Sequence, residues 1–467
     1  MGQAFNVLII GGGPGGYVAA LRAAQLKLRT ALVEREHLGG ICLNWGCIPT
    51  KSLLHTADTL RRIRHADSLG LIVGKPTIDF ARVMARSREV AQRLNRGVAH
   101  LLRKAGVTVL KGDASFAPDR AVQVRFADGS TQRLQVHHTI VATGACPRPL
   151  PLLPFDGECV WSYRDALAAR VLPKSLLVIG AGAIGMEFAS FYATLGSQVT
   201  VVEAQPRVLP TSDAEISAFV AKTFANEGIQ LRTSARLKGA TVRPDGVQVT
   251  LKNDSGSETL HAERVLVAIG LTGNINGLGL EHTRAQVEDG LIVADASGTT
   301  SDPAIHAIGD VTGAPMLAHR ASHQGMACVE RIAGLDGEAV SHAPLIPSCV
   351  YSHPQCASVG LTEAQAQAQA LDRPLRIGRF PLEASGKAIA IGEASGFVKT
   401  IFDRDTGALL GAHIAGPDAP ELIHGFTLAS TLEATEVELM ETMFPHPTLS
   451  EAMHESVLAA FGRSLHI

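Results

Sequence analysis

The chain has 467 residues, of which 46% are hydrophobic and 18% charged, and its formal net charge is −2. This composition excludes a disordered chain, and the balanced charge, in which no block of one sign stands out, argues against nucleic acid as a main partner. At about 150 residues per domain, the length predicts roughly three domains. Seven cysteines are too few for a disulfide scaffold, so we expect a reducing, cytoplasmic location.

An internal repeat begins near the start of the chain and recurs near its middle. Asn6–Glu34 and Ser175–Glu203 each contain an apolar run, a G-x-G-x-x-G loop, a segment with helical period and a second apolar run that ends in Glu. The loop glycines are Gly11, Gly13 and Gly16 in the first copy, and Gly180, Gly182 and Gly185 in the second. Both copies have the same internal spacing, which predicts two strand–helix–strand units.

This pattern is typical of dinucleotide sites. The first glycine permits a tight turn, the second lets the backbone approach a pyrophosphate, and the third lets the helix pack closely on the strand. The helix N-terminus then faces the anion, and Glu34 or Glu203 at the end of the second strand can accept hydrogen bonds from ribose hydroxyls. We therefore predict that each copy binds one dinucleotide; the alternative is that the glycines form only a structural turn.

The most apolar long segment, Ser175–Gly196, has the hydrophobicity of a membrane span. It contains Glu187, four glycines and a change from strand to helix pattern. We therefore expect a buried strand and helix here, and no membrane association.

Three further apolar runs end in Ala-x-Gly, at Thr139–Gly144, Val265–Gly270 and Ile305–Gly309. Such strand ends adjoin the cofactor crevice of an open α/β sheet. The third is followed by Asp310, which is a candidate for binding a cofactor hydroxyl; an exposed turn residue is the alternative.

Two cysteines lie close together in the segment that follows the first repeat. Pro49 is tolerated only in the first turn of a helix, so a helix should begin near Cys47, where its dipole stabilises a thiolate. Cys42 comes within disulfide distance if the chain bends around Gly46. We interpret the pair as redox-active; two structural thiols or a zinc site are the alternatives. Lys51 lies one turn further on and could reach the same cofactor, or be merely solvated. The other cysteines are expected to be small buried hydrophobic residues.

A candidate acid–base pair lies near the C-terminus. Pro445 and Pro447 restrict the backbone on either side of His446, and a histidine supplies a base that titrates near pH 7. Glu451 could hold the other ring nitrogen, or it could form a capping box with Thr448 for the last helix. The residues alone leave both roles open.

The remaining expectations concern boundaries and the C-terminal region. They are a proline-rich crossover at Cys146–Gly157, boundaries near Leu271–Asn276 and Ala343–Pro347, strands between Ser348 and Ala415 with a hairpin at Asp403–Gly407, a helix that starts with a Thr362–Gln365 capping box, and helices within Ala419–Ala434 and at about Leu449–Phe461.

Taken together, the motifs resemble those of the flavin- and pyridine-nucleotide-dependent disulfide reductases, over nearly the whole chain. The matching segments are the Gly11–Gly16 loop, GGICLNWGCIPTK, GAGAIGMEF, AIGD, MLAHRASHQG, VYSHPQCASVGLTE, AHIAGPDAPELI and HPTLSE. The resemblance implies an α/β fold with two Rossmann-like dinucleotide-binding domains and a C-terminal α+β dimerisation domain. The implied domains are an FAD domain at 1–150, an NAD domain at 151–275, a central domain at 276–345 that returns to the FAD site, and an interface domain at 346–467.

The resemblance also implies an activity. In the branch of the family that this chain resembles, protein-bound dihydrolipoamide is reoxidised through a Cys42–Cys47 disulfide and FAD, with hydride transfer to NAD+. Cys42 would be the interchange thiol and Cys47 the thiol next to the flavin. His446 of the other subunit of a homodimer would be the base, oriented by Glu451. The implied partner is the lipoyl domain of an acyltransferase, or the carrier protein of glycine cleavage.

The resemblance extends to the cofactor sites. It places Lys51 near the flavin and paired with Glu187, Glu34 on the FAD ribose, and Asp310 at the ribityl chain. The other residues assigned to FAD or NAD are Gly11, Gly13, Gly16, Ala114, Thr143, Gly144, Gly180, Gly182, Gly185, Glu203, Gly270 and Ala318. No metal is expected.

Related activities are the alternatives. Glutathione reductase uses NADPH, but Glu203 would repel a 2′-phosphate, although Arg207 lies nearby. Mercuric reductase would have a C-terminal cysteine pair, whereas this chain ends in Arg463–Ile467 without one. A non-catalytic flavoprotein is disfavoured because both cysteines and His446 are present.

Overall fold

A computed structural model describes residues 5–119, 121–253, 256–335, 345–369 and 374–467. Its strands are β1 Phe5–Ile10, β2 Thr30–Glu34, β3 Thr108–Lys111, β4 Asp113–Phe116, β5 Val122–Arg125, β6 Thr131–Leu134, β7 Val136–Val141, β8 Ala145–Pro147, β9 Val160–Trp161, β10 Ser175–Ile179, β11 Gln198–Val202, β12 Gln230–Arg232, β13 Arg236–Arg243, β14 Gly246–Asn253, β15 Gly256–Ala262, β16 Arg264–Val267, β17 Leu271–Gly273, β18 Val287–Glu288, β19 Leu291–Ile292, β20 Ile305–Ala307, β21 Ser348–Val350, β22 Cys356–Gly360, β23 Leu375–Pro381, β24 Phe397–Asp403 and β25 Leu409–Ala415.

The α-helices are α1 Pro14–Gln25, α2 Gly40–Trp45, α3 Cys47–Arg64, α4 Phe80–Lys104, α5 Tyr163–Ala168, α6 Ala183–Leu195, α7 Ala214–Asn226, α8 Ala318–Ile332, α9 Glu363–Gln369, α10 Gly386–Ala390, α11 Ala419–Thr431, α12 Glu436–Glu441 and α13 Glu451–Ala460. None of the helices in the described ranges is both long and apolar enough to cross a bilayer.

The chain forms two compact units. The first comprises Met1–Leu53, Ala81–Arg148 and Gly270–Ala343, and the second comprises Leu54–Phe80, Pro149–Ile269 and Pro344–Ile467. The finer division into four domains stays a prediction, and the boundary expected at Ala343–Pro347 begins outside the described residues.

The first unit is built on a five-stranded parallel sheet in the order β20-β7-β1-β2-β3. Its strands β1 and β2 are buried almost throughout, as expected where a parallel sheet is covered on both faces. Val7 and Ile9 pack on the face that carries α1 and the end of α4, while Leu8 and Ile10 pack on the face towards β4, β5 and β6. Fully burying one such side chain stabilises the fold by about 1.5–3 kcal/mol.

Helices α1 and α8 of this unit approach closely through two glycines. A Cβ atom on Gly325 would lie 2.6 Å from the carbonyl oxygen of Gly15, so this position has no room for a larger residue without movement of the backbone, and a Cβ on Gly15 would lie 3.1 Å from the carbonyl oxygen of Ala321. An ion pair between Arg22 and Glu330 at 2.6 Å holds the far ends of the two helices. The start of α8 is thereby held alongside the glycine loop that precedes α1.

The second unit contains a parallel sheet with the matching arrangement, β12-β11-β10-β16-β9. Its segment Ser175–Gly196 forms β10 and the largely buried helix α6, which confirms the prediction of a buried strand and helix. The antiparallel sheet β13-β14-β15 packs its apolar residues, such as Val247 and Leu251, against Leu177 and Val265.

The C-terminal region of the second unit is an antiparallel sheet, β21-β22-β25-β24-β23, covered by α11 and α13. The predicted hairpin joins β24 and β25, and the Thr362–Gln365 capping box forms with two reciprocal hydrogen bonds of 2.9 and 3.3 Å. Helix α12 was not predicted, although Thr435 and Glu438 form a capping box that marks its start.

Candidate active site

The two glycine loops have the same backbone geometry. Gly11 and Gly180 both have φ of +105°, and a Cβ on either would lie 2.3 Å from a carbonyl oxygen, that of Ala142 or Ala268. These carbonyls belong to two of the predicted Ala-x-Gly strand ends, which are therefore confirmed to adjoin the loops. Only glycine fits the first position of either loop.

The third glycine of each loop permits close packing, and the second leaves open space. A Cβ on Gly16 or Gly185 would lie 1.9 or 2.0 Å from the carbonyl oxygen of the first glycine. A Cβ on Gly182 would meet nothing within 4 Å, and one on Gly13 would meet only a backbone atom at 3.9 Å. Because α1 and α6 begin directly after these positions, each loop offers free space and helix N–H groups to an anion, which fits a pyrophosphate.

The acid at the end of each repeat is held in the same way. Glu34 accepts hydrogen bonds from the N–H groups of Gly12 and Glu36, both at 2.7 Å. Glu203 accepts from Ala181 at 2.7 Å and Gln205 at 2.8 Å. Each carboxylate is thus fixed beside its glycine loop, and it has further lone pairs to accept a ribose hydroxyl.

Three other predicted cofactor residues lie at the ends of strands in the first unit. The Thr143 hydroxyl donates to the Asn274 carbonyl at 2.8 Å, and the Asn274 amide donates to the Thr143 carbonyl at 2.9 Å. Gly144 and Gly270 have positive φ, and a Cβ on either would meet nothing within 4 Å. Asn274 was not singled out by the sequence analysis, because only the folded chain shows that it holds Thr143.

Ala114 and Ala318 offer backbone rather than side-chain groups. Ala114 lies in β4, with its methyl group in the apolar core below the parallel sheet. The N–H of Gly112 donates to the Glu34 carbonyl at 3.1 Å, which brings the start of β4 next to that acid. Ala318 is the first residue of α8.

The two cysteines meet at a break between two helices. Cys42 lies in α2, the chain bends at Gly46, and Cys47 begins α3, as predicted. Both side chains are half-buried. They lie close enough for Cys47 to affect the pKa of Cys42.

Several charged groups act on this thiol pair. The hydrogen bond with Cys47, burial, the charge of Cys47 and that of Asp310 all raise the pKa of Cys42, while Lys51 opposes them. Burial also raises the pKa of Asp310 itself, against a smaller opposite effect of Arg320. Cys42, Cys47, Lys51 and Asp310 are thus close enough to influence one another, although Asp310 is remote from the cysteines along the chain.

The cysteine segment is held by polar contacts that the sequence analysis missed. The buried Asn44 amide donates to the carbonyls of Leu38 and Gly40 at 2.9 and 2.8 Å, which fixes the turn before Cys42. Burial and the charge of Cys42 raise the pKa of Tyr17, so this α1 residue lies near the thiol. The sequence signal for the Asn44 contacts was the position of this Asn, two residues after Cys42.

His446 and Glu451 are hydrogen-bonded in the second unit. Nδ1 of His446 lies 2.9 Å from Oε1 of Glu451, and the Thr448 N–H donates to Oε2 of the same carboxylate at 2.9 Å. The imidazole is otherwise exposed, with 78% of its side-chain surface accessible. Burial raises the pKa of Glu451, but the hydrogen bonds from Thr448 and His446 outweigh it and keep the pKa below its ordinary value.

The expected capping box at this position forms only in part. The Glu451 carboxylate accepts the Thr448 N–H, but the Thr448 hydroxyl bonds to the Pro445 carbonyl at 2.7 Å instead of to the helix. Helix α13 accordingly begins at Glu451, two residues later than expected. The Glu451 carboxylate therefore contacts both His446 and the backbone of Thr448, and its role in catalysis stays a prediction.

Glu187 is buried in α6 and accepts the backbone N–H of Tyr351 at 3.0 Å. Its expected pairing with Lys51 stays a prediction. Of the other cysteines, Cys328 and Cys356 are buried as expected, whereas Cys146, Cys159 and Cys349 are only half-buried. Among the residues that the structure describes, no group of three or more His, Cys, Asp or Glu side chains could hold a metal ion.

Comparison with known proteins supports these features. The sequence profile of the pyridine nucleotide-disulphide oxidoreductases matches residues 5–325, and that of their dimerisation domain matches residues 346–457. A dihydrolipoyl dehydrogenase of Zymomonas mobilis is 50% identical over 467 residues, covering all of both chains. One of Rhizobium etli is 47% identical over 482 aligned positions, again covering all of both chains.

Solved structures agree with this result. LpdA from Mycobacterium tuberculosis superposes with a TM-score of 0.90 at 30% identity, over 97% of this chain and 99% of that one. The flavoprotein disulfide reductase RclA from Escherichia coli superposes with a TM-score of 0.85 at 26% identity, over 97% and 99%. The chain therefore belongs to the pyridine nucleotide-disulphide oxidoreductase family.

Proposed function

We propose that the chain is a dihydrolipoyl dehydrogenase, which oxidises protein-bound dihydrolipoamide to lipoamide and reduces NAD+. The proximity of Cys42 in α2 to Cys47 at the start of α3, in the same unit as the first glycine loop, is the observation that carries the proposal. Relatives that bear this name match over the full length at up to 50% identity.

Thiol–disulfide exchange is the reaction of this pair. One substrate thiolate attacks Cys42 of the Cys42–Cys47 disulfide, which forms a mixed disulfide and releases Cys47 as a thiolate. The second substrate thiolate then attacks the first substrate sulfur in the mixed disulfide, which forms the disulfide of lipoamide and releases Cys42 as a thiolate. The substrate loses two electrons and two protons, and the enzyme disulfide gains the electrons.

His446 holds a proton during this exchange. Because Nδ1 donates to Glu451, the tautomer leaves Nε2 as the acceptor for a substrate thiol proton, and the carboxylate stabilises the imidazolium that results. The exposed imidazole lies in the region that matches the family's dimerisation domain. We infer a homodimer in which His446 of one subunit serves the cysteines of its partner.

The glycine loops fit the two cofactors. The adenosine diphosphate part of FAD would be bound by Gly11, Gly13, Gly16 and Glu34, together with backbone or side chains of Ala114, Thr143, Gly144 and Ala318. Asp310 and Lys51 would lie near the flavin end of FAD, and Gly270, whose strand end adjoins Gly180, would lie on the NAD+ side. Gly180, Gly182, Gly185, Glu187 and Glu203 would bind NAD+. Bound FAD supplies the two-electron relay that reoxidises the thiol pair and delivers a hydride to NAD+.

NAD+ rather than NADP+ is favoured by the second repeat. The Glu203 carboxylate is held beside the loop by two N–H groups, where its charge would repel a 2′-phosphate. Arg207 instead donates to the carbonyl of Pro210 at 3.1 Å. This arrangement disfavours the NADPH-dependent glutathione reductase alternative.

The biological setting completes the proposal. The electron donor would be a dihydrolipoyl group on the lipoyl domain of an acyltransferase or on a glycine-cleavage carrier protein. The enzyme would then serve a 2-oxoacid dehydrogenase or glycine-cleavage complex in the cytoplasm.

The proposal is tested by steady-state assays of the purified flavoprotein with two substrate pairs, dihydrolipoamide with NAD+ and glutathione disulfide with NADPH. Turnover is expected only with the first pair. Cys42→Ser should abolish it, whereas Cys159→Ser, at a half-buried cysteine of the second unit, should keep it. Preference for the second pair, or wild-type rates in Cys42→Ser, would contradict the proposal.

A further inference from the structure

Helix α4 concentrates positive charge. It contains seven basic residues and one acidic residue, which gives it a formal charge of +6, so the rest of the chain carries −8. The expectation that no block of one sign stands out is therefore wrong for this segment, because its arginines are separated by apolar residues and are collected on one face only when the helix forms.

Most of the charged residues of α4, together with His100, form a single stripe. They recur every three or four positions and are all exposed: Arg82, Arg86, Glu89, Arg93, Arg96, His100 and Arg103. Residues three and four apart lie on the same face of a helix, whereas Met84, Ala91, Val98 and Leu102 are buried on the other face. We call this exposed row the α4 stripe.

The helix that carries the α4 stripe packs beside the cysteine segment within the first unit. The Asn95 amide donates to the Leu38 carbonyl at 2.6 Å, and the Arg88 guanidinium lies 4.7 Å from the centre of the Trp45 ring. Arg86 donates to the Ser52 hydroxyl at 2.7 Å. Trp45 lies between the two cysteines in the chain, and Ser52 follows one turn after Cys47.

The charge on the C-terminal half of the α4 stripe is not neutralised by ion pairs among the described residues. Over the ranges that the structure describes, no carboxylate forms an ion pair with Arg93, Arg96 or Arg103. Five arginines against one glutamate produce a positive surface, and such surfaces raise the association rate of anionic partners.

We propose that the α4 stripe docks the carrier domain that presents the dihydrolipoyl group, through an acidic surface on that domain. The inference rests on the proposed function. Free dihydrolipoamide carries no charge that five arginines would recognise, whereas a carrier must stay near the enzyme while its attached dithiol reaches Cys42. A positive stripe beside the cysteine segment suits a carrier with an acidic face.

The experiment compares carrier-bound with free substrate. The triple variant Arg93→Gln, Arg96→Gln, Arg103→Gln removes three charges from the stripe, and Gln is nearly as good a helix former as Arg. Its matched control is Arg236→Gln, Lys238→Gln, Arg243→Gln, at exposed residues of β13 in the second unit. Each holoenzyme is assayed with an acidic, dihydrolipoylated carrier domain and with free dihydrolipoamide, at low and high salt.

For the stripe variant, kcat/KM with the carrier at low salt is expected to fall about 10-fold or more, mainly through KM. Its kcat/KM with free dihydrolipoamide should stay unchanged, and so should both values in the control variant. High salt should reduce the wild-type preference for the carrier and leave the stripe variant less affected.

Four results would overturn the inference. The first two are an unchanged kcat/KM with the carrier and an equal loss of kcat/KM with both substrates. The third is a changed oligomeric state of the stripe variant in light scattering, which would mean that a second copy of the chain covers the stripe. The fourth is weaker retention of the stripe variant on heparin with unchanged carrier kinetics, which would mean that the stripe binds a nucleic-acid-like polyanion. If wild-type enzyme fails to oxidise free dihydrolipoamide with NAD+, the proposed function itself is wrong. The two failures are therefore distinguishable.

Discussion

Nδ1 of His446 lies 2.9 Å from Oε1 of Glu451, while the other oxygen of that carboxylate is held by the N–H of Thr448. The carboxylate is thus fixed from two sides, and the imidazole is oriented with Nε2 directed away from it. This relationship makes His446 a preorganised base and assigns the proton of its neutral form to Nδ1.

Removal of the base or of its partner should have graded effects. We expect His446→Gln to lower kcat about 100- to 10,000-fold, which is the usual contribution of a general base. Glu451→Gln should lower kcat by less, because the amide oxygen can still accept from Nδ1 or from Thr448. Steady-state rates with dihydrolipoamide and NAD+ measure both effects. A wild-type kcat in Glu451→Gln would limit the role of Glu451 to the start of α13.

Mixed dimers test the shared site. Cys42→Ser and His446→Gln homodimers should each be inactive, but a heterodimer of the two contains one site with both residues intact. Equal mixing of subunits should therefore restore about a quarter of wild-type activity, because half of the dimers are mixed and each has one working site. If cysteines and histidine came from the same subunit, mixing would restore nothing.

The two acids of the repeat should separate the two cofactors. Glu203→Gln weakens binding to a ribose diol, so we expect KM for NAD+ to rise about 10- to 100-fold. It also removes the charge that repels a 2′-phosphate, so the preference for NAD+ over NADP+ should become smaller. The matched variant Glu34→Gln should instead reduce the flavin retained after gel filtration, measured by absorbance. The opposite pattern would show that the cofactors were assigned to the wrong copies.

A histidine pair of the first unit, the buried His306 and the half-buried His138, predicts acid sensitivity. Nε2 of His306 lies 3.3 Å from Nδ1 of His138, and burial, His138 and Arg331 lower the pKa of His306 from 6.5 to about 4, against Asp295 and Asp302. The unfolded chain therefore binds the extra proton first as pH falls. As the pH falls from 6.5 to 4, the free energy of unfolding therefore decreases by about 3 kcal/mol.

Thermal unfolding of the holoenzyme, followed by circular dichroism across this pH range, measures the effect. His306→Gln should flatten the decrease in Tm between pH 6.5 and 4, whereas His261→Gln, at an exposed imidazole, should leave it unchanged. An equally steep decrease in His306→Gln would assign the acid sensitivity to other groups.

Local patterns predicted the elements that short-range chemistry specifies. The glycine loops, the helix that begins at Cys47 and the β24–β25 hairpin each depend on residues within a few positions of one another, so steric and hydrogen-bonding rules apply directly. Helix α13 was placed two residues too early because the Thr448 hydroxyl has a second acceptor, the Pro445 carbonyl, that a capping rule does not consider.

By itself, the sequence determined that the chain has two dinucleotide-type repeats, a cysteine pair at a helix start and a histidine with a carboxylate partner. Only the tertiary structure decided which distant groups join them. Asp310 acts on Cys42 because β20 pairs with β7 in the sheet that carries the first glycine loop. The arginines of α4 form one surface beside Trp45 because the opposite face of the helix is buried. Such contacts depend on sheet order and helix packing, which are set by the burial of many apolar residues together, and no short motif records them.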